Sequence, residues 1–580
     1  MNSTKSNNLS SNEISIDSKQ TLNPKVKKIL HKDLFENKNV FKLLLRFVLP
    51  ALLVTFFQAM YIFSDQIMMV KFIPFSSNLN PNGLTLEKLF PEDILVPYLQ
   101  QAKDNAITPT DLVRSAISIS APITLILTAT TLLVSMGVAV SFAKSLAKQN
   151  AQEIEEVWST GFIANAILGL FVSFFILGIS PLWLSSSAKG TFASSHDNPI
   201  IEKFNLYAQN VQVDLAQGYV YILCGFNIFQ IMSQMYYFLA QSEGRQLFIS
   251  IVPTFCNVLN IILDYILIVF ASLALMGSAL ATAIGWMVNF IAYVEYNLIL
   301  TKKNQTNLIL KNLRFKLYKW KLFNIIILIG VASFLRNASA SFSNSMFQTY
   351  LVNMTNSSGY AITHDTSPNI FQSYFGSVTP ISNLAIQSVW GLIQGGRTVA
   401  SYKYGKEDYN AIKKIYWYVL LIAIVYGVII YSLFAFALSD VFLINLFDVQ
   451  TNNLEYTTYL LRITMLQAVF LALGTTGQLY FQSTQRISFS WFVAILQNII
   501  LFIPLLFIFQ SASNAIATNN PTLASSETAM NCFIWLLPTC TILASSINIV
   551  VSLIHMYTRM GKYENEIKQN LRKPSKLMQR

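Results

Sequence analysis

The sequence predicts an all-α membrane protein with twelve transmembrane helices in two pseudo-symmetric six-helix lobes. Three observations carry that prediction. The chain is 53% hydrophobic and only 12% charged over 580 residues, which is too apolar for a soluble globular protein. Apolar runs of about 20 residues, each long enough for roughly 30 Å of hydrocarbon, recur along its whole length. The two halves also share motifs at matching intervals, as an internal duplication would leave them.

The apolar runs cover 43–73, 115–142, 157–182, 217–241, 246–271 and 274–300 in the first half. In the second half they cover 322–351, 371–400, 415–439, 457–482, 487–510 and 532–557. The chain therefore divides into a disordered tail over 1–40, an N-lobe over 41–300, a basic linker over 301–321, a C-lobe over 322–557 and a basic tail over 558–580. Residues 1–40 contain no apolar core of the signal-peptide kind. Segments 74–114 and 183–216 are polar outside loops longer than hairpin connections need, and they read as tolerated insertions in preference to an external cap or a partner surface.

A net charge of +12 raises the question of nucleic acid, but its distribution points to a membrane. Basic residues gather at Lys25, Lys27 and Lys28, at Lys144 and Lys148, from Lys302 to Lys321, from Lys403 to Lys414 and from Arg559 to Arg580. The intervening segments 353–370, 440–456 and 511–531 contain no Lys or Arg. This is the positive-inside pattern, and it places both termini in the cytoplasm. The basic linker can also hold anionic membrane lipid. Cys224, Cys256, Cys532 and Cys540 form no C-x-x-C pair, the four histidines are scattered, and no phosphate-binding G-x-x-x-x-G-K-[ST] loop occurs. No cofactor or ATP site is therefore expected.

The duplication is legible in two places. Pro122 and Gly137 in the second span are spaced as Pro380 and Gly395 are in the eighth. Q241-S-E-G-R245 precedes Asn257 as Q482-S-T-Q-R486 precedes Asn498, with equal spacing from Arg to Asn. Because each half has an even number of spans, the repeats are parallel and related about the membrane normal, with a natural substrate cavity between them. The copies differ where Asp264 falls opposite Leu505.

Asp65 and Asp264 lie inside apolar spans, where a carboxylate costs roughly 2.5 kcal/mol or more and marks an ion or proton site. Asn260 and Asp264 are four apart, so one helix face presents both. Thr282 returns in the sixth span at about the depth of Asp264, and Asp65 lies in the outer half of the first. Two carboxylates, an amide oxygen and a hydroxyl suit a hard cation or a proton. The two acids should not both stay ionised in a weakly hydrated pocket without one. Either H⁺ or Na⁺ satisfies that condition. Pro50 should kink or break the first helix. Arg336, fifteen residues past Lys321 and so about 22 Å along a helix, is too deep to snorkel easily. It reads equally as a fixed cation in the cavity and as a partner of backbone carbonyls or a neighbour.

Pro50 with Asp65 in FVLPALLVTFFQAMYIFSD, the segment from Pro122 to Gly137, N257-V-L-N260-I-I-L-D264 and G277-S-A-L-A-T282 resemble the multidrug and toxic compound extrusion (MATE) transporters. The resemblance covers about residues 41–557. It implies a non-enzymatic antiporter that exports organic, often cationic, compounds in exchange for H⁺ or Na⁺. It also implies cation-site roles, with Na⁺ a possible metal, for Asp65, Asn260, Asp264 and Thr282, and cavity positions for Gln58, Tyr61 and Tyr219. The expected partners are a small organic substrate and membrane lipid, with no nucleic acid, and the expected state is a monomer in a bacterial cell membrane. The chain departs from the family in lacking acids in spans seven and ten and in carrying Arg336 where a span-seven Glu is expected. Those departures favour the alternative of a lipid or lipid-linked oligosaccharide flippase of the same superfamily.

Overall fold

The computed structural model describes residues 39–102, 107–188, 199–357, 370–447, 449, 451–519 and 523–560. The two expected disordered tails lie outside these residues except at 39–40 and 558–560. Twelve long helices run through the described residues. The first lobe comprises α1 (Val40–Phe72), α2 (Pro109–Lys148), α3 (Ala151–Ala188), α4 (Pro199–Ser242), α5 (Gln246–Phe270) and α6 (Ala274–Lys302). The second comprises α7 (Trp320–Ser357), α8 (Ile370–Gly405), α9 (Tyr409–Ala437), α10 (Thr451–Ser483), α11 (Ile487–Ile516) and α12 (Glu527–Thr558). Strand content among the described residues is limited to two isolated bridges, Pro74 with Leu84 and Ser76 with Asn80.

Local chemistry sets the helix starts. Asn39 caps α1 by accepting from the Lys42 backbone N–H at 3.1 Å. Thr108 and Asp111 form a reciprocal capping box around Pro109 at the head of α2, satisfying donors that the first turn leaves open. Pro50 does not break α1, which is helical from Val40 to Phe72. The proline removes one backbone donor, and the helix is continuous on both sides of the gap.

Eleven of the twelve helices are apolar and long enough to cross a membrane on that ground alone. α8 is the other, and its place in the bundle explains its composition. It packs against α1, α2, α9 and α10, so Ser382, Ser388, Arg397, Thr398 and Ser401 are buried in protein and need not be compatible with lipid.

The duplication survives in the backbone. The turn after α4 takes a left-handed residue at Gly244 (φ 78°), and the matching turn after α10 takes one at Gln485 (φ 55°). The ends of α2 and α8 repeat the pattern with Gln149 (φ 56°) and Glu407 (φ 59°). Glycine fits this conformation without strain and the other residues bear a modest cost, so the turn outlived the residue that suits it best.

The lobes meet along α1 with α8 and along α2 with α7. Contact is so close that a Cβ built on Gly330 would lie 1.5 Å from the Leu133 carbonyl oxygen, and one on Gly395 would lie 2.6 Å from Phe47 O. At the end of the bundle where α6 finishes and α7 begins, here the basic end, Lys144 Nζ donates to Gln485 Oε1 at 2.7 Å. The linker between α6 and α7 is strapped to the first lobe. Trp158 Nε1 donates to Ile309 O at 3.2 Å, Asn297 Nδ2 to Leu308 O at 2.7 Å and Asn312 Nδ2 to Glu155 Oε1 at 2.9 Å.

The opposite end carries a packed cap, the less favoured of the sequence readings, where tolerated insertions are the preferred one. α3 and α4 extend well past the expected apolar spans, and the segment between α1 and α2 folds into short helices Leu86–Leu89 and Glu92–Ala102. Tyr98 and Phe90 stack on Phe204 of α4 with ring centroids 3.6 and 4.6 Å away. With Ile94, Leu95, Leu112 and Val211 they form a small apolar core. The expectation overlooked the aromatic residues, which give these polar stretches something to bury.

Candidate functional site

Three helices of the first lobe converge on one buried polar cluster. α1 presents Tyr61 and Asp65 four residues apart, α5 presents Asn260 and Asp264, and α6 presents Ser278 and Thr282. Each pair has the i, i+4 spacing that puts two side chains on one helix face. Asp65, Asn260, Asp264, Ser278 and Thr282 are all buried.

The hydrogen bonds join the three helices. Ser278 Oγ donates to Asp65 Oδ1 at 2.5 Å, Asn260 Nδ2 donates to Thr282 Oγ1 at 3.2 Å, and Tyr61 OH lies 3.3 Å from the same Thr282 hydroxyl. The Asp65 and Asp264 carboxyl groups come within hydrogen-bonding reach of each other. Among the described residues, however, no donor reaches either Asp264 oxygen or Asn260 Oδ1. The pocket thus holds an excess of buried acceptors, and such groups are expensive unless something supplies positive charge. Two carboxylates this close cannot both be charged without a cation or a shared proton. Immediately after Asp264 the α5 backbone widens into a π-helical turn at Ile266–Phe270, a local irregularity common beside functional groups.

The structure brings together Asp65, Asn260, Asp264, Thr282 and Tyr61 as the sequence suggests, and Tyr219 is an electrostatic neighbour of Asp65, Tyr61 and Asp264. Gln58 is exposed, and no hydrogen bond among the described residues ties it to the cluster. Pro50 lies fifteen residues from Asp65 and forms no part of the pocket. Sequence reasoning missed Ser278. It stands one helical turn before Thr282, so the same spacing that paired Asn260 with Asp264 would have found it.

Among the described residues the second lobe has no matching acidic cluster. Leu505, the counterpart of Asp264, packs against an apolar core. α10 extends beyond the expected span and so includes Glu455, but that side chain is exposed in the helix's opening turns. Arg336 is remote from the acidic cluster in its contacts. Its Nη1 donates to Gln478 Oε1 at 2.8 Å, and its guanidinium carbon stands 3.7 Å over the Trp390 ring centroid. No group of three or more His, Cys, Asp or Glu suited to a metal occurs among the described residues.

Comparison with known proteins extends these likenesses across the chain. The MatE family model matches residues 113–266 and 373–508, one stretch in each half. An MG447 homologue from Mycoplasmoides gallisepticum is 42% identical over 97% of this chain and 98% of its own length. MG447 of Mycoplasma genitalium is 36% identical over 94% of this chain and 96% of its own. Among solved structures, an outward-facing multidrug resistance MATE family transporter of the MOP superfamily superimposes with a TM-score of 0.67 at 15% identity, covering 91% of this chain and 98% of that one. A MOP superfamily transporter from Pyrococcus furiosus, described as having a binding pocket of reversed polarity, superimposes with a TM-score of 0.66 at 15% identity over 90% and 97%. With the family model matched in both halves and the relatives matched end to end, the chain belongs to the MATE family of membrane transporters.

Proposed function

We propose that this transporter exports an amphiphilic organic compound in exchange for H⁺ or Na⁺ by alternating access of its two lobes. One observation carries the reading: Asp264 and Asn260 hold three buried acceptor oxygens that no donor reaches, directly beside Asp65. A pocket of that kind takes up a cation, and a cation that binds one arrangement of the lobes better than the other shifts their equilibrium by that difference. Asp65, Asn260, Asp264 and Thr282 bind the coupling ion, with Ser278 orienting Asp65. Tyr61, Tyr219 and Gln58 line the cargo path. The basic end faces the cytoplasm and the cap end faces outward, and the mycoplasmal source of the relatives supports a bacterial cell membrane as the location. The protein acts as a monomer without a cofactor.

The deciding experiment is efflux of a fluorescent amphiphile, run once with a cationic and once with an anionic headgroup, from proteoliposomes under an imposed pH gradient or an imposed Na⁺ gradient. Wild-type protein should respond to one of the two, and Asp65→Asn should respond to neither while still inserting and folding. Gradient-driven export by Asp65→Asn at the wild-type rate would remove the coupling role of the pocket. A second reading, a lipid or lipid-linked oligosaccharide flippase, is favoured by the half-buried Arg336 and by the apolar counterpart of Asp264.

A further inference from the structure

A second polar cluster crosses the lobe interface nearer the basic end, and its chemistry is the reverse of the first. Arg336 of α7 donates to Gln478 of α10 and stacks on Trp390 of α8. One turn further along α10, Gln482 Oε1 accepts from Arg397 Nη1 of α8 at 3.4 Å, and Gln482 Nε2 donates to Ser333 Oγ of α7 at 3.1 Å. The first lobe closes over this group. The Arg397 guanidinium carbon lies 5.1 Å from the Phe238 ring centroid of α4, and Thr398 Oγ1 donates to Gln241 Oε1 at 3.2 Å. Arg397 is 1% exposed, Gln478 3% and Gln241 0%.

Two features distinguish this cluster from ordinary packing. Neither arginine meets a carboxylate among the described residues, and Arg397 is the charged neighbour of Arg336. The buried groups left without a partner are Arg336 Nε, Arg397 Nη2, Gln478 Nε2, Gln241 Nε2 and the Tyr237 hydroxyl. The four nitrogens can only donate, and the hydroxyl can. Two uncompensated guanidinium groups inside a helical bundle are costly, and surplus donors of this kind match a multi-oxygen anion. Trp390 and Phe238 add apolar surface beside the charge, which suits an amphiphile better than a small hydrated ion.

We propose that Arg336 and Arg397, with Gln478, Gln241 and Tyr237, form a cargo site for the phosphate-type headgroup of an anionic amphiphile. The site is built from both lobes, so the headgroup enters when they part at the basic end. The inference rests on the transport reading above and specifies its substrate class: cation uptake at Asp65 and Asp264 drives an anionic-headed cargo.

The test measures binding without any gradient, so its outcome is independent of ion coupling. Purified full-length protein is titrated with dihexanoylphosphatidylglycerol below its micelle concentration, with inorganic phosphate, and with an uncharged short-chain maltoside. Saturable binding of the anionic lipid, weakened about tenfold or more in Arg397→Gln and in Arg336→Gln and partly restored in Arg397→Lys, is expected. Inorganic phosphate should compete only weakly. Competition by phosphate as strong as by the lipid would make the site one for free anions and overturn the amphiphile assignment, as would equal binding of the maltoside. Should the variants fail to fold, phenylglyoxal labelling of wild-type protein decides the matter. The lipid should shield Arg336 and Arg397 from modification, and unchanged labelling of both would overturn the proposal. Lipid binding at this site combined with gradient-independent behaviour in the efflux experiment would instead count against the coupling reading alone.

Discussion

Ser278 and Asp264 both reach Asp65 and leave it half satisfied: the serine hydroxyl donates to Asp65 Oδ1 at 2.5 Å, while Asp264 brings a second carboxyl group and no donor. The hydroxyl is therefore a fixed fraction of the positive field that the pair requires, and the coupling cation supplies the rest. Ser278→Ala should remove about 1–3 kcal/mol of stabilisation from the ionised site. The bare carboxylate then holds its cation more tightly. Half-saturating ion concentration should fall about tenfold, with turnover slowed at ion release. Measuring export rate against ion concentration separates this from Asp65→Asn, which should abolish the ion dependence altogether.

The approach of α7 to α2 at Gly330 leaves no room for a side chain, since the obstructing atoms are the Leu133 backbone. Backbone cannot rotate away as a side chain can, so Gly330→Ala should push the two lobes apart at a cost of about 1–3 kcal/mol to the closed arrangement. Spin labels introduced at Lys148 and Arg486 should report a longer and broader distance distribution than in the parent. An unchanged distribution would mean that this contact does not hold the lobes together.

The bundle and the acidic pocket were legible in the sequence because each depends on local pattern. Span length, the alternation of basic loops and the four-residue spacing of Asn260 and Asp264 need no knowledge of which helices touch. What escaped depends on partners distant in sequence. Arg397 stands near the end of an apolar run, a position open to the membrane surface by sequence alone, yet it is buried because α4 of the other lobe closes over it. Composition placed the segment from 74 to 114 among loops, whereas Phe90 and Tyr98 find their apolar surface more than a hundred residues away at Phe204. Leu505, read as a gap in the duplication, proves to be core packing.

That cap rests on few contacts, which makes it sensitive to a single change. Phe204→Ala removes the ring on which both Phe90 and Tyr98 stack and should destabilise the cap by roughly 3–5 kcal/mol. The α4 helix continues on either side, so the twelve-helix bundle should remain. Limited proteolysis should then cut within 86–102 while the melting temperature of the bundle changes little. Wild-type protease resistance in the variant would show that the stacked rings are incidental to the cap.

Glu243 fastens the linker at the basic end, accepting from the Asn307 backbone N–H at 2.7 Å, from Thr306 Oγ1 at 2.8 Å and from Asn307 Nδ2 at 3.2 Å, with Arg245 as its nearest charged neighbour. Burial holds its carboxyl above the ordinary value of 4.5, against the opposing pull of those hydrogen bonds and of Arg245. The docked linker thus binds the proton more readily than the undocked one. Its stability is greatest below the ordinary value, falls as pH rises from there through the raised value, and is constant above it. Hydrogen exchange at the Asn307 and Leu308 amides, corrected for intrinsic rate, should accordingly be slowest in mild acid. Glu243→Gln should flatten that dependence, because nothing titrates. Glu243→Ala should release the strap at every pH, at a cost of about 1–3 kcal/mol, since it leaves the Asn307 N–H and the Thr306 hydroxyl without their acceptor. A pH profile that persists in Glu243→Gln would assign the titration to another group.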